Sequence, residues 1–255
     1  MPGVRAVSDL DQRVRGVLQG RADAASLAGE IDTMAAAYAL QDRLVDAVGP
    51  TCGWKVAANT PALMQAFGIT EPIVARITGA PLADGATLSL GDYRHLALEP
   101  EIVAVLARDL TEPLGEADAD AAVESYRAGF EILDRRGYAD PPHGPSFVAY
   151  NIFNQGVVLG PETLPRDALS GDALAAAGAR FDLGGVCLLD GTGTAPEPPA
   201  RTVRFVVNTA LSRGQPVRAG QVILCGTHHP PAPVEAAGAA SFSFAGCRVS
   251  LSISA

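Results

Sequence analysis

Apolar residues recur at helical intervals early in the chain and in short extended runs after it. Within residues 9–49, Ile31, Met34, Ala35 and Tyr38, then Leu40, Leu44, Val45 and Val48, share one helical face, and Gly49-Pro50 ends the pattern. From Cys52 the texture changes to short apolar runs separated by Gly, Pro and Asp. Pro61 to Phe67 predicts a short helix, with Thr60 as N-cap and Gly68 as stop. Asp84-Gly85 reads as the tip of a turn between two strands. Residues 98–106 (LEPEIVAVL) carry the strongest strand pattern. A helix is predicted from about Asp118 to Ala128, then a strand over 130–133. Residues 139–145 have the composition of a loop, and 157–160 that of a strand ending on glycine. Residues 201–212 predict a helix closed by Gly214, 222–225 a strand, and the tail from Ser241 a hairpin turning at Ala245-Gly246. Helices and strands do not alternate regularly, so the pattern favours a mixed α+β fold over a doubly wound parallel sheet. The change of texture divides the chain into an N-terminal helical segment, 1–50, and a larger domain, 51–255, without internal repeats.

Composition narrows the function classes. With 255 residues, 48% of them hydrophobic, the chain can bury a sizeable core. A net charge of -9 argues against nucleic acid and anionic membrane surfaces as partners. No apolar run reaches the ~18 residues of a membrane span. The first residues, with Arg5, Asp9, Asp11, Arg13 and Arg15, lack the apolar core of a signal peptide, so a cytoplasmic protein is expected. Cys52, Cys187, Cys225 and Cys247 show no C-x-x-C spacing and read as buried free thiols. No G-x-G-x-x-G follows a strand, Gly191-Thr-Gly193 lies in a Pro-rich loop, and P-loop and G-x-S-x-G patterns are absent. His228-His229 is an adjacent pair in a Pro-rich stretch, which reads as surface or as the mouth of a site.

Of the nineteen Lys and Arg residues, Lys55 is the single lysine. In a chain that writes arginine for nearly every cation, a retained lysine points to a need for a compact ammonium with a tunable pKa. The second chemical signal is Glu99 and Glu101. They stand two apart in the strongest strand, so both carboxylates share one face, which Val103 and Val105 continue. Paired acids in apolar surroundings need a cation. Pro100 between them places this stretch at an edge or a bulge. Hard oxygen ligands favour Mg²⁺ or Mn²⁺ over zinc. A third acid is expected from Phe-Glu-Ile-Leu-Asp. Glu131 is the better ligand, and Asp134 has Arg135 and Arg136 beside it for a structural ion pair.

Taken in order, Gly53-Trp54-Lys55, Glu99-x-Glu101, Phe130-Glu131-Ile-Leu-Asp134 and Asn151 ahead of Gly156-Val-Val-Leu-Gly160 resemble the fumarylacetoacetate hydrolase superfamily. The nearest branch is that of the 2-keto-4-pentenoate hydratases and 4-oxalocrotonate decarboxylases. The resemblance extends to Ala37-Tyr38-Ala39-Leu40-Gln41 and Gly220-Gln-Val-Ile-Leu-Cys-Gly226, and so covers nearly the whole chain. It implies a mixed β-roll behind an N-terminal helical segment, and Mg²⁺ or Mn²⁺ on Glu99, Glu101 and Glu131. It also implies a homo-oligomer and a 2-oxo acid substrate chelated through its carboxylate and carbonyl oxygens. Lys55, Glu99 and Asn151 fall at catalytic positions, and Trp54, Lys55, Asn151 and Thr227 at substrate-contacting ones. Three positions depart from the pattern: Ile73 after Glu71-Pro72, Tyr150 before Asn151, and Thr227-His228-His229 after Leu224-Cys225-Gly226.

The reaction expected is water addition to a 2-hydroxy-2,4-dienoate or 2-oxo-3-enoate, giving a 4-hydroxy-2-oxo acid. Decarboxylation of a vinylogous 2-oxo acid uses the same enolate sink. C–C hydrolysis of an acylpyruvate ranks behind both, because no His-Glu pair occurs near Pro61 to Phe67. A ligand-binding protein that kept the fold without turnover is the non-enzymatic alternative.

Overall fold

The computed structural model describes residues 9–19, 22, 31–136 and 144–255. In chain order the elements are α1 (Asp9–Leu18), α2 (Met34–Asp46), β1 (Thr51–Ala57), α3 (Pro61–Phe67), β2 (Ile73–Thr78), β3 (Leu82–Ala83), β4 (Ala86–Ser89) and β5 (Leu96–Leu106). There follow β6 (Val123–Asp134), α4 (Gly144–Ala149), β7 (Asn154–Thr163), α5 (Gly171–Ala176), β8 (Ala179–Leu183) and β9 (Val186–Gly191). The chain closes with α6 (Pro199–Ser212), β10 (Val222–Thr227), β11 (Ala232–Pro233), β12 (Gly238–Phe244) and β13 (Cys247–Ser254).

Two sheets carry the molecule. The larger runs β2-β1-β10-β5-β6-β7-β3, with β11 also on β5; the smaller runs β4-β13-β12-β8-β9. Strand alternation sorts their faces. On β5 and β6, Leu98, Ile102, Ala104, Tyr126, Ala128, Phe130 and Ile132 pack against Phe181 and Phe242 of the smaller sheet. The odd-numbered positions face the other way, and there Val103 meets Ile77, Val157, Val222 and Leu224. Ile77 lies on β2 and Val157 on β7, so the larger sheet curls its outer strands together around this second face. Helices α1 and α2 lie over one end, where Val14, Val17, Leu40 and Leu44 join Ile73, Leu133 and Tyr150.

Many predicted elements stand where the apolar pattern put them. Thr60 Oγ1 accepts from Leu63 N, and Gly68 ends α3 with φ +65°. Ala245 and Gly246, both at positive φ, turn β12 into β13. Asp84-Gly85 is a turn, but β3 and β4 pair with β7 and β13 rather than with each other. Of the predicted N-terminal helix, residues 20–21 and 23–30 lie outside the described residues, as do 139–143 of the predicted loop. Gly144 and Pro145, also assigned to that loop, begin α4.

The helix expected at 118–128 is replaced by a single 3₁₀ turn at Asp120–Ala122, after which the chain is already β6. Helical propensity in Asp-Ala repeats is weak beside a full antiparallel ladder with β5, which runs from Leu96↔Asp134 to Leu106↔Val123. The ladder also corrects the reading of Pro100. β5 is an interior strand, and the irregularity lies in its neighbour β10, between Leu224 and Thr227. Of the four thiols only Cys225 is buried; Cys187 is exposed, because β9 is an edge strand of the smaller sheet.

Candidate metal and substrate site

The three glutamates converge through register alone. Glu99 on β5 pairs directly with Glu131 on β6, and Glu101 stands two residues along the same face. One oxygen of each carboxylate lies within 4.8 Å of the others, the only such acid cluster among the described residues. Glu101 and Glu131 are buried, and Glu99 is half-buried at a cavity wall. Next to β10, β1 places Lys55 beside Leu224 on this face, and its Nζ lies 2.5 Å from Glu131 Oε1.

Each acid has a distinct environment. Glu131 Oε1 accepts from Lys55 and from Asn154 Nδ2 at 2.9 Å, while its Oε2 is buried without a partner. Glu101 Oε2 accepts from the Gly226 backbone N–H at 2.7 Å. That N–H is available because the ladder slips between Leu224 and Thr227. Gly226 has φ +107°, and a Cβ there would stand 2.8 Å from Pro196 Cγ, so only glycine fits comfortably.

Burial, reinforced by repulsion from Glu131, pushes the Glu99 carboxyl up to about 8. Burial and the charges of Glu131 and Glu99 push Glu101 well above the usual carboxylate range. Burial pulls the Lys55 ammonium down, but Glu131 and Glu99 more than restore it, leaving its pKa above the ordinary lysine value. One cation among three acids is too little. An unpartnered buried oxygen and a surplus of hard anionic donors fit a divalent ion such as Mg²⁺.

A pH test follows. Without metal, the native Glu99 keeps a proton between 4.5 and about 8 that the unfolded chain has released, so stability falls as pH rises through this window. His228, which burial lowers to about 4, contributes the opposite slope below its ordinary value of 6.5. Metal-free protein is therefore expected to melt at progressively lower temperature between pH 6.5 and 8, and saturating MgCl₂ to flatten that slope. Thermal melts with and without the ion check this; equal slopes in both would contradict it.

The cavity beside the cluster has a volume of about 630 Å³. Lys55, Glu99, Arg135, Thr227, His228 and His229 are its polar wall, and Leu63, Phe67, Leu133, Phe147 and Phe153 give it apolar sides. Thr227 Oγ1 donates to His229 O at 2.5 Å, which holds the turn after β10.

Two expected substrate contacts are placed elsewhere. Trp54 alternates to the opposite face from Lys55, packs in the inter-sheet core and donates from Nε1 to Gln221 Oε1. Asn151 brackets the Arg76 backbone, accepting from its N at 3.0 Å and donating to its O at 2.7 Å, and is not part of the cavity wall. Its place near the acids is taken by Asn154, which sequence reasoning missed. Asn151, Ile152 and Phe153 all have positive φ, so the chain reverses before β7 and delivers Asn154 to Glu131. No sequence signal announces three left-handed non-glycine residues in a row. His228 is not on the surface either: its ring lies 4.9 Å from that of Phe244, and Nδ1 meets Thr194 Oγ1 at 2.7 Å. Asp134, as expected, is structural, accepting from His95 N and Arg136 N.

A curled sheet whose inner face gathers three acids and a lysine at the wall of an apolar cavity defines a metal-dependent enzyme of the β-roll type. Known proteins agree. The profile of the fumarylacetoacetate (FAA) hydrolase C-terminal family matches residues 59–249, and the chain belongs to this family. It is 29% identical over 178 residues to a 4-oxalocrotonate decarboxylase of Pseudomonas sp, covering 68% of this chain and 67% of that one. It is 30% identical over 190 residues to a 2-keto-4-pentenoate hydratase of Burkholderia vietnamiensis, covering 73% and 71%. The fold matches that of the 4-oxalocrotonate decarboxylase from Pseudomonas putida G7, complexed with magnesium and adipate. That match has a TM-score of 0.83 and 22% identity, over 96% of this chain and 95% of the other. No described helix is long and apolar enough to cross a membrane.

Proposed function

We propose that the chain is a metal-dependent lyase that adds water to a 2-hydroxy-2,4-dienoate, by way of the 2-oxo-3-enoate, to give a 4-hydroxy-2-oxo acid. The observation that carries this reading is the Glu99–Glu101–Glu131 cluster with Lys55 against Glu131, open at Glu99 to an apolar cavity. Relatives named as hydratases of such dienoates support it. Glu99, Glu101 and Glu131 hold Mg²⁺ or Mn²⁺. When bound, the ion supplies a Lewis acid for the carboxylate and carbonyl oxygens of a 2-oxo acid and steadies enolate charge.

The chain's own groups do the rest. Ketonisation places a proton on the terminal carbon of the dienol and releases the one on the 2-hydroxyl. Water then adds its oxygen at C4 and a proton at C3. Lys55, held as an ammonium by its acids, is the proton-holding group nearest the substrate head. Leu63, Phe67, Phe147 and Phe153 shed bulk water around the hydrocarbon part, and Thr227 offers a hydroxyl at the wall. The same reading makes the protein a cytoplasmic homo-oligomer.

Decarboxylation is the second reading, favoured by the relative and the structural neighbour that bear that name. Incubation with 2-hydroxypenta-2,4-dienoate and MgCl₂ is expected to bleach the dienol absorbance and give a product 18 mass units heavier. Incubation with 2-oxohex-3-enedioate, followed by CO₂ release, tests the alternative. A protein inert to both, with its metal bound, is neither enzyme.

A further inference from the structure

Arg135 is a cation that the site described above leaves unused. Its neighbour Arg136 is buried, with Nη1 on Val17 O at 2.5 Å and Nε 3.5 Å from Asp134. Arg135 is exposed, and among the described residues it has no ion-pair partner. The extended chain explains where it points. Glu131, Leu133 and Arg135 occupy alternate positions at the end of β6 and share a face. Leu133 and Arg135 both line the cavity that holds Lys55 and Glu99. Four residues of extended chain set the Glu131 and Arg135 backbones roughly 13 Å apart. The cavity therefore has an acid cluster at one end, apolar sides, and a guanidinium displaced along the same strand.

A second cavity, also of about 630 Å³, meets the first at Arg135 and Pro231. Its wall carries Arg94, His95 and Tyr93 against one carboxylate, Glu235. The outer space is thus biased toward anions, although the chain as a whole carries a net charge of -9. Positive charge concentrated at the outer side of a pocket, in an acidic protein, suits an anionic group that enters last or protrudes furthest.

We propose that Arg135 binds a carboxylate at the far end of the substrate, so that the site takes dicarboxylic 2-oxo acids in preference to monocarboxylic ones. This rests on the reading of the three glutamates as the site of the 2-oxo acid head. The guanidinium fork matches a carboxylate with two parallel hydrogen bonds, and the long side chain reaches back over the apolar wall. Pro231, shared by both cavities, sits where the substrate passes from one to the other.

The test is calorimetry in MgCl₂ with oxalate, 2-oxohexanoate and 2-oxoadipate, on the wild type, Arg135→Gln and Arg135→Lys. The wild type is expected to bind 2-oxoadipate about tenfold more tightly than 2-oxohexanoate at low salt. Raising NaCl should shrink that advantage. In Arg135→Gln the two long acids should bind alike, with oxalate, too short to span the cavity, binding as in the wild type. Arg135→Lys should keep part of the preference, since it retains charge without the fork. Equal affinity of the wild type for both long acids, with oxalate still bound, overturns the carboxylate subsite and leaves the metal reading intact. A preference that persists in Arg135→Gln also overturns it. Failure of all three to bind overturns both readings together.

Discussion

Glu131→Gln is expected to lower magnesium-dependent turnover by about 10³-fold, the several kcal/mol that a bound ion contributes to charge stabilisation. Three facts single out this residue. Its carboxylate is fully buried, one oxygen already holds Lys55 and Asn154, and the other has no partner. It is the hinge between the lysine and the two acids of β5. A glutamine keeps the shape and can still meet Asn154 or Lys55, but offers one weak acceptor where an anion is needed. The fold itself should survive. Removing one member of an ordinary buried pair costs about 3–5 kcal/mol because the other charge is orphaned. Here Glu99 and Glu101 still act on the Lys55 ammonium, and one source of repulsion among the acids is gone. Calorimetric titration with MgCl₂, initial rates and a melt of the ion-free variant check the three parts. Wild-type magnesium affinity in Glu131→Gln would sink the assignment of the cluster.

Lys55→Arg is expected to lower turnover by about 10²-fold, in the range typical of a positioned acid–base group, while the ion still binds. The substitution preserves charge, so a purely electrostatic role would leave the rate nearly unchanged. The site argues otherwise. Lys55 is only 3% exposed, and its Nζ is a single point 2.5 Å from Glu131 Oε1. A planar guanidinium is longer and wider, and would push past that oxygen toward the space a ligand needs. It also cannot give up a proton near neutral pH. Progress curves for turnover, set beside magnesium titrations, separate the outcomes. Undiminished turnover in the variant would show that any buried cation suffices.

The two variants divide the labour of the cluster. Glu131→Gln removes the ion and with it the grip on the substrate head. Lys55→Arg keeps the ion and alters the group beside it. Arg135 lies outside this division, since its loss is expected to change which acid is preferred and not whether the head binds.

Legibility in the sequence followed the range of the interactions. Glu99 and Glu101 were readable as a pair because strand alternation is local: two residues apart means one face. Thr60, Gly68 and Gly214 were readable for the same reason, as caps and stops act within a turn of their own helix. Lys55 stood out by composition alone, as the one lysine in a chain of arginines. Trp54 was misread as a substrate contact although the same alternation that brings Lys55 inward sends its neighbour outward. That inference was open to local reasoning, but it required knowing that residues 51–57 form a strand.

Other features depended on contacts that no local pattern encodes. Register across β5 and β6 sets Glu131 opposite Glu99, and a slip of one residue would have turned it to the other sheet. The slip in β10 decides that Gly226 N–H meets Glu101 and leaves the ladder. The left-handed run at Asn151 to Phe153 decides that Asn154 reaches Glu131 while Asn151 binds the Arg76 backbone. The ladder with β5 overrode the helical leaning of residues 123–128. By itself, then, the sequence determined the acids, the lone lysine, the caps and the α+β character, because each rests on neighbours along the chain. Tertiary structure alone decided which acids meet, which asparagine serves them and which arginine faces the cavity, because each rests on strand register between segments far apart in sequence.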